Sequence, residues 1–361
     1  ILKIFMLNIA LDISSFEYSR PTGISNYISE YLNQCSENIN EFYKIHLLYK
    51  LSRYKKRLRM NTNEKFIFQA YYKTFSTMFE KPKIVHGLDC EIPNIRKTKK
   101  VVTVHDTFIH NERTIDVCSE QFKKKHFEKI NFSVKSSDCV IAVSNTTKND
   151  LLNHFPFLKN KIFTVPLGVK DIYKPANKFE INRIKEKYNL FDQYLLYVGE
   201  ISSRKNTKRL VEAFKNSKLY KEFQLILVGK KSFNGNETID YIKDLNACQY
   251  IKWINYVPEN ELPIFYTGAA GFTFPTLYEG FGMPILEALS CETPVLVGNR
   301  GESQFTAGGM CLTCDPYDTE SISNGINQIV DSGVKINIEH TKKFTWHECF
   351  KKTLNIYSQI I

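Results

Sequence analysis

Two successive runs of alternating strand and helix signals, parted by one polar stretch, constrain this chain more than any other feature. Short β-branched or aromatic segments at Lys3–Leu7, Ile45–Tyr49, Ile84–His86, Val101–Val104, Cys139–Val143 and Ile162–Val165 read as strands. Helical signals fill the gaps. Ile24, Tyr27, Ile28, Tyr31, Leu32 and Cys35 recur at spacings of three and four, which marks one buried helical face. Ser144 or Asn145 supplies an acceptor for the first turn of another helix. A polar, Pro-containing stretch, 170–182, then reads as a linker. After it the alternation restarts. Strands are expected at Tyr194–Val198, Gln224–Val228, Ile251–Trp253, Gly271–Phe274, Pro294–Val297 and Met310–Thr313. Helices are expected at Asn206–Phe214, Glu237–Leu245, Glu259–Thr267, Pro284–Leu289, Thr319–Asp331 and Trp346–Ile360. Alternating β and α units imply parallel sheets covered on both faces. The expected architecture is α/β: two doubly wound, Rossmann-like domains, 1–170 and 171–345, facing a central cleft.

The 361 residues suffice for two such domains. The longest apolar runs, Val101–Val104 and Leu225–Val228, are far too short to cross a bilayer. Lys3 and Asn8 interrupt any signal-peptide core, so the first residues read as a strand. Reduced thiols in a cytosolic protein are then expected for the nine cysteines. Cys311 and Cys314 form a Cys-x-x-Cys pair without two further ligands at zinc spacing, so they read as strand residues and no metal site is expected.

Charge is unevenly shared. Residues 1–170 hold 27 Lys and Arg against 16 Asp and Glu, whereas 171–361 hold 22 of each, so the whole net charge of +11 falls in the first half. Such asymmetry points to an anionic partner. The densest run is Arg53–Arg59, with Arg53, Lys55, Lys56, Arg57 and Arg59, and aromatic-rich 66–75 follows, suited either to interfacial contact or to a buried helix or strand.

No P-loop and no Gly-x-Gly-x-x-Gly fingerprint occurs, and Asp89-Cys90-Glu91 is only a weak approach to a metal-binding Asp-x-Asp. The informative string is 275–289, PTLYEGFGMPILEAL. It leaves a strand and enters a helix. Gly280 and Gly282 allow close backbone approach to a ligand, Pro284 suits the first helical turn, and the exposed N–H groups with the helix dipole make an anion site. Glu279 and Glu287 flank that site and are placed to accept hydroxyls on either side of a diphosphate. Arg204 and Lys205 follow a strand that ends at Gly199, where two cations would neutralise a departing phosphate. His105 ends a central strand, where ligands of open α/β sheets bind. Residues 253–258 either line a base pocket or belong to the core.

These strings resemble glycosyltransferase family 4. The likeness rests on Glu279-x7-Glu287 within EGFGMPILEAL followed by Thr293-Pro294-Val295, on Thr22-Gly23-Ile24, Val104-His105-Asp106, Ser144-Asn145, Val165–Val169, Tyr197-Val198-Gly199 with Arg204-Lys205-Asn206, Gly309, and Asp315–Asp318. It implies the GT-B fold, with the final helix, 346–361, crossing back to the first domain. It implies a retaining hexosyltransferase that needs no metal or cofactor and takes a nucleotide-sugar as substrate. The site it implies is His105, Arg204, Lys205 and Glu279 for catalysis. Gly23, Gly199, Arg204, Lys205, Glu279, Gly280, Phe281, Gly282, Met283 and Glu287 would bind the donor, with Phe281 and Gly282 giving backbone N–H groups. GDP-mannose is the expected donor, by likeness to bacterial polysaccharide mannosyltransferases. The acceptor would be a glycan or a lipid-linked one, and the protein would sit on the anionic inner face of the cytoplasmic membrane through its basic half. Two departures stand out: Glu292 where the family often has Gly, so that turn is expected to differ, and Ser303–Thr306 in place of Pro-Glu-Val. A nucleotide-sugar epimerase and a basic nucleic-acid-binding protein are the alternatives. The second lacks any recognisable nucleic-acid motif, so no nucleic-acid partner is expected.

Overall fold

The structure is a computed structural model that describes residues 7–17, 22–38, 43–53, 66–71, 81–110, 117–331, 333 and 336–361. The chain divides into two compact units. One comprises Ile1–Thr107, Lys124–Gly168 and Thr345–Ile361, the other Phe108–Lys123 and Val169–Phe344.

The first unit is built on a seven-stranded parallel sheet in the order β3-β2-β1-β4-β5-β6-β7. Its strands are β1 (Leu7–Asp12), β2 (Tyr43–Lys50), β3 (Ile67–Tyr71), β4 (Ile84–Gly87), β5 (Lys99–Val104), β6 (Cys139–Ala142) and β7 (Ile162–Thr164). Helix α1 (Gly23–Asn38) buries Tyr27, Ile28, Tyr31, Leu32 and Cys35, the face its periodicity indicated. The last helix, Trp346–Ile360, belongs to this unit and packs on α1. Tyr31 and Tyr357 share a hydroxyl hydrogen bond of 3.0 Å. His86, fully buried, lies 2.6 Å from the Tyr357 hydroxyl and 2.8 Å from that of Thr103, so this histidine is a structural one.

The second unit has a six-stranded parallel sheet in the order β10-β9-β8-β11-β12-β13. Here β8 (Tyr194–Val198), β9 (Gln224–Val228) and β11 (Gly271–Phe274) coincide with the sequence reading, while β10 (Ile251–Ile254), β12 (Val295–Gly298) and β13 (Leu312–Cys314) shift by one or two residues. Nearly every residue of β8, β9, β11 and β12 is buried, as strands covered by helices on both faces must be.

Several expectations need correction. The first strand runs to Asp12, well beyond Leu7, and the four residues before Leu7 lie outside the described part. The stretch 170–182 is not all linker, because a helix begins at Lys178 with an Asn177–Glu180 capping box. Helix Glu120–Ser136 was not foreseen; its polar, Lys-rich surface hides the 3.6-residue period. The basic run after Arg53 lies outside the described residues. Among the described residues no helix is long and apolar enough to cross a membrane.

Candidate active site

In each sheet the chain first winds to one side of its starting strand and then returns to the other. In the second unit β8 and β11 are the neighbours at this reversal, the place where open α/β sheets generally bind ligands. Most side chains nominated in this unit lie on those two loops or just inside the helix that follows the second.

Lys205, on the loop after β8, donates from Nζ to Glu279 Oε1, on the loop after β11, at 2.6 Å. The two side chains are only 11% and 8% exposed, so this is a buried ion pair across the reversal point. Lys205 also lies 5.2 Å over the Phe274 ring. Burial, aided by the Arg204 charge, brings the Lys205 pKa below its usual value despite the opposing pull of Glu279. The Arg204 guanidinium lies over the Phe108 ring, and its carbonyl accepts from the Leu277 N–H at 3.2 Å, which ties the two loops together.

Asn206, noted in the sequence only as part of a motif, has a positioning role. It is left-handed, φ 60°, and its side chain donates to the carbonyls of Pro275 at 2.9 Å and Pro316 at 2.6 Å. Loops after three strands are thereby pinned around Lys205. An Asn at the junction of a strand loop and a helix is a signal for left-handed backbone, but its long-range partners have none.

Helix Met283–Ser290 opens at Gly282, φ +92°, where a Cβ would come 2.8 Å from Ile285 Cδ1. Pro284 sits in its first turn. The first N–H groups of a helix have no carbonyl one turn back, so they face outward as anion donors. The preceding turn is clamped from behind. The Glu279 carbonyl accepts from the Glu302 N–H at 3.1 Å and the Phe281 carbonyl from Thr306 Oγ1 at 2.5 Å. Ser303–Thr306, the departure from the family pattern, is thus a short helix whose hydroxyl holds the glycine-rich turn. Phe281 itself is buried against Phe344, so its side chain is committed to packing. Glu292, expected to alter its turn, instead adopts left-handed backbone, φ 59°, in place of glycine.

Glu287 has a different setting from Glu279. Its Oε2 accepts from the Tyr266 hydroxyl at 2.8 Å, and Tyr173 lies near enough to favour its charged form. Burial lifts its pKa to about 7. Neither tyrosine was singled out in the sequence. Trp253, one of the base-pocket alternatives, points its indole N–H at the Gly229 carbonyl, 2.8 Å away.

Gly23 and His105 belong to the first unit and are described with it. Gly23 is the exposed first residue of α1. His105, half-buried, has Nε2 2.9 Å from the Leu88 carbonyl and its ring edge-on to Tyr27 at 4.7 Å. With Nε2–H donating to that carbonyl, Nδ1 is left as an acceptor. Burial lowers the His105 pKa, which keeps the ring neutral.

Residues 48–171 match the family described as Glycosyltransferase Family 4, and 178–344 that described as Glycosyl transferases group 1. The chain is 30% identical over 290 residues to the O-antigen chain mannosyltransferase B of Escherichia coli, which covers 77% of this chain and 74% of the relative. Among solved structures it is similar to sucrose-phosphate synthase from Thermosynechococcus elongatus, with a TM-score of 0.79 at 18% identity over 98% of this chain and 99% of the other. It is also similar to HepE of Anabaena in complex with UDP and glucose, with a TM-score of 0.70 at 13% identity over 98% and 100%. Two doubly wound units of this kind define the GT-B fold. The chain belongs to glycosyltransferase family 4 and is a glycosyltransferase. The epimerase and nucleic-acid readings are not favoured.

Proposed function

We propose that this chain is a retaining, metal-independent hexosyltransferase that moves mannose from GDP-mannose to a glycan or lipid-linked acceptor in surface polysaccharide synthesis. The observation that carries the reading is the buried Lys205–Glu279 pair at the strand reversal, with Arg204 beside it and an anion-binding helix start on the neighbouring loop. Arg204, Lys205 and the amides of 281–283 would stabilise charge growing on the leaving phosphate. Glu287 would accept the ribose hydroxyls, Glu279 a hydroxyl of the transferred sugar. Gly199 would give the phosphates room, Gly280 and Gly282 the close backbone approach, Gly23 access for the acceptor-side loop, and His105 a contact to the donor sugar.

In this mechanism the bond from the anomeric carbon to the phosphate oxygen breaks, and the acceptor oxygen bonds to that carbon on the same face. The acceptor proton passes to the departing phosphate oxygen, so no side chain serves as general base. Mannose is favoured by the name of the Escherichia coli relative. A UDP-linked glucose is the second reading, favoured by the solved complex of HepE with UDP and glucose. Work on lipid-linked acceptors would place the protein at the cytoplasmic membrane face, with the basic first half toward the lipid.

Thermal-shift titration with GDP-, UDP-, dTDP- and ADP-sugars tests the donor. A ligand at 100 times its dissociation constant adds about 2.7 kcal/mol of stability. GDP-mannose should give the largest shift, and the anomeric configuration of the product, read by NMR, should match that of the donor. Inversion, or a strict divalent-metal requirement, would contradict the reading.

A further inference from the structure

Backbone N–H groups stabilise an anion well only when their direction is fixed beforehand. Gly280 and Gly282 give the turn before helix Met283–Ser290 a backbone with many accessible conformations, so something outside the turn must hold it. The hold comes from the short helix Ser303–Thr306. The Glu302 N–H meets the Glu279 carbonyl, and the Thr306 hydroxyl meets the Phe281 carbonyl at 2.5 Å. The other hydroxyl of that helix does not contribute: Ser303 Oγ is enclosed and has no hydrogen-bond partner among the described residues. Ser303–Thr306 is four residues long, barely one turn, and so short a helix does not fix its own direction.

A second short helix, Ile338–Thr341, supplies the support from behind. It packs on helix Met283–Ser290, and its His340 has Nε2 2.9 Å from the Thr306 carbonyl. A carbonyl only accepts, so Nε2 carries the proton and the ring donates. The last carbonyls of a helix have no partner one turn on, and His340 satisfies this one. It thereby caps the helix at the very residue whose hydroxyl grips the turn. The fit leaves no slack. Gly308, φ +61°, lies where a Cβ would come 2.5 Å from the His340 ring. That ring packs edge-on against Phe344 at 5.1 Å, and Phe344 meets the Phe281 ring at 5.9 Å. Two routes therefore run from His340, one through Thr306 and one through Phe344, and both end on Phe281.

We infer that His340 is a positioning residue for donor binding: through Thr306 it sets the Phe281 carbonyl, and with it the direction in which the N–H groups of 281–283 meet a diphosphate. The ligand in this statement rests on the donor reading proposed above. The coupling of His340 to the turn rests on geometry alone. His340 stands 34 residues from Thr306, so no local spacing pairs the two.

The test compares the full chain with His340→Leu, His340→Gln, Thr306→Val and the double variant His340→Leu with Thr306→Val. Amide spectra of glycine-labelled protein without ligand come first. The Gly280 and Gly282 signals should move in His340→Leu and in Thr306→Val, while Gly229 and Gly325, away from this contact, should stay. A general loss of packing would move all four. His340→Gln, whose side-chain amide donates at a similar reach, should restore the parental positions. His340→Asn, too short to reach, replaces His340→Leu if the latter does not fold. Calorimetry with GDP and UDP follows. Affinity for the nucleotide that binds the parent should fall by about tenfold in each single variant, the effect of one lost hydrogen bond. The double variant should lose little more than either single one, because both act through one contact. Additive losses, unmoved Gly280 and Gly282 signals, or failure of His340→Gln to restore them would overturn the inference. If the glycine signals respond but neither nucleotide binds the parent, the coupling stands and the donor reading falls. If a nucleotide binds with equal affinity to parent and variants, the donor reading stands and this inference falls.

Discussion

The two units share one topology and differ in what stands at its reversal point. In the second unit, a buried lysine and glutamate bridge β8 and β11, a second cation is adjacent, and a helix start adds outward N–H groups. In the first, Ser15 and Asp89 bridge β1 and β4, cations and anions balance, and a tight turn at Gly87 stands where the second unit has a glycine-rich helix start. The fold supplies a strand reversal in both cases, and the loop residues choose its ligand. In the proposed reading the second unit takes the phosphate, a difference from the first that substitutions can break.

Removing the cation at the second reversal should have the largest effect. Lys205→Gln is expected to lower turnover by about a hundredfold or more, the usual effect of losing a preorganised donor to a developing anion. It also strands Glu279, so stability should fall by about 3–5 kcal/mol, the range for a broken buried pair. Single-turnover rates and urea denaturation read the two effects separately. Near-normal turnover in a folded Lys205→Gln protein would dissolve the contrast between the units.

Glu287→Gln should lower nucleotide affinity by about ten- to a hundredfold, the loss of a charged hydrogen-bond acceptor. Burial lifts Glu287 to about 7, so its carboxyl is protonated below that pH and ionised above. Ribose hydroxyls donate best to the ionised form. Nucleotide affinity of the parent should therefore strengthen as pH rises through about 7 and then level off, whereas that of Glu287→Gln should not change there. Calorimetry across that range distinguishes a ribose-binding carboxylate from a merely structural one.

The first unit carries a buried acid of its own. Asp12, at the end of β1, is lifted by burial from 3.8 to about 6 even though Ser14 and Tyr71 donate to it. Its folded pKa lies above its unfolded one, so stability should fall as pH rises through that window. Ionisation then costs on the order of 2–3 kcal/mol above it. Asp12→Asn should remove this slope, as denaturation at about pH 4 and about pH 8 would show. An unchanged slope would mean that the reversal of the first unit tolerates a buried charge better than its packing implies.

The smallest expected effect is at Glu292. Glu292→Gly should relieve left-handed strain at φ 59°. Glycine loses more backbone entropy on folding, so the net stabilisation should be about 0.5–1 kcal/mol. A shift in the melting midpoint without any change in turnover would show that this departure from the family pattern is conformational only.

Much of the fold was legible because covered parallel strands are short, continuous and apolar. Tyr194–Val198 and Gln224–Val228 could be bounded to the residue. Helix Glu120–Ser136 could not, since its lysines and exposed phenylalanines blur the period. In the second unit the local strings put Lys205 and Glu279 on loops after two strands, and the structure brings the two side chains together. The contacts of Asn206 and Tyr266 were not legible, because their partners lie 110 and 21 residues away and no local spacing encodes such a meeting.

The most direct test of the division between the units is calorimetric titration of GDP, with UDP in parallel, into the parent chain, Lys205→Gln and Asp89→Asn. The diphosphate is expected to bind the parent and Asp89→Asn with the same affinity and Lys205→Gln at least about tenfold more weakly. Comparable losses in both variants, or loss only in Asp89→Asn, would contradict the proposed assignment of the phosphate to the second unit.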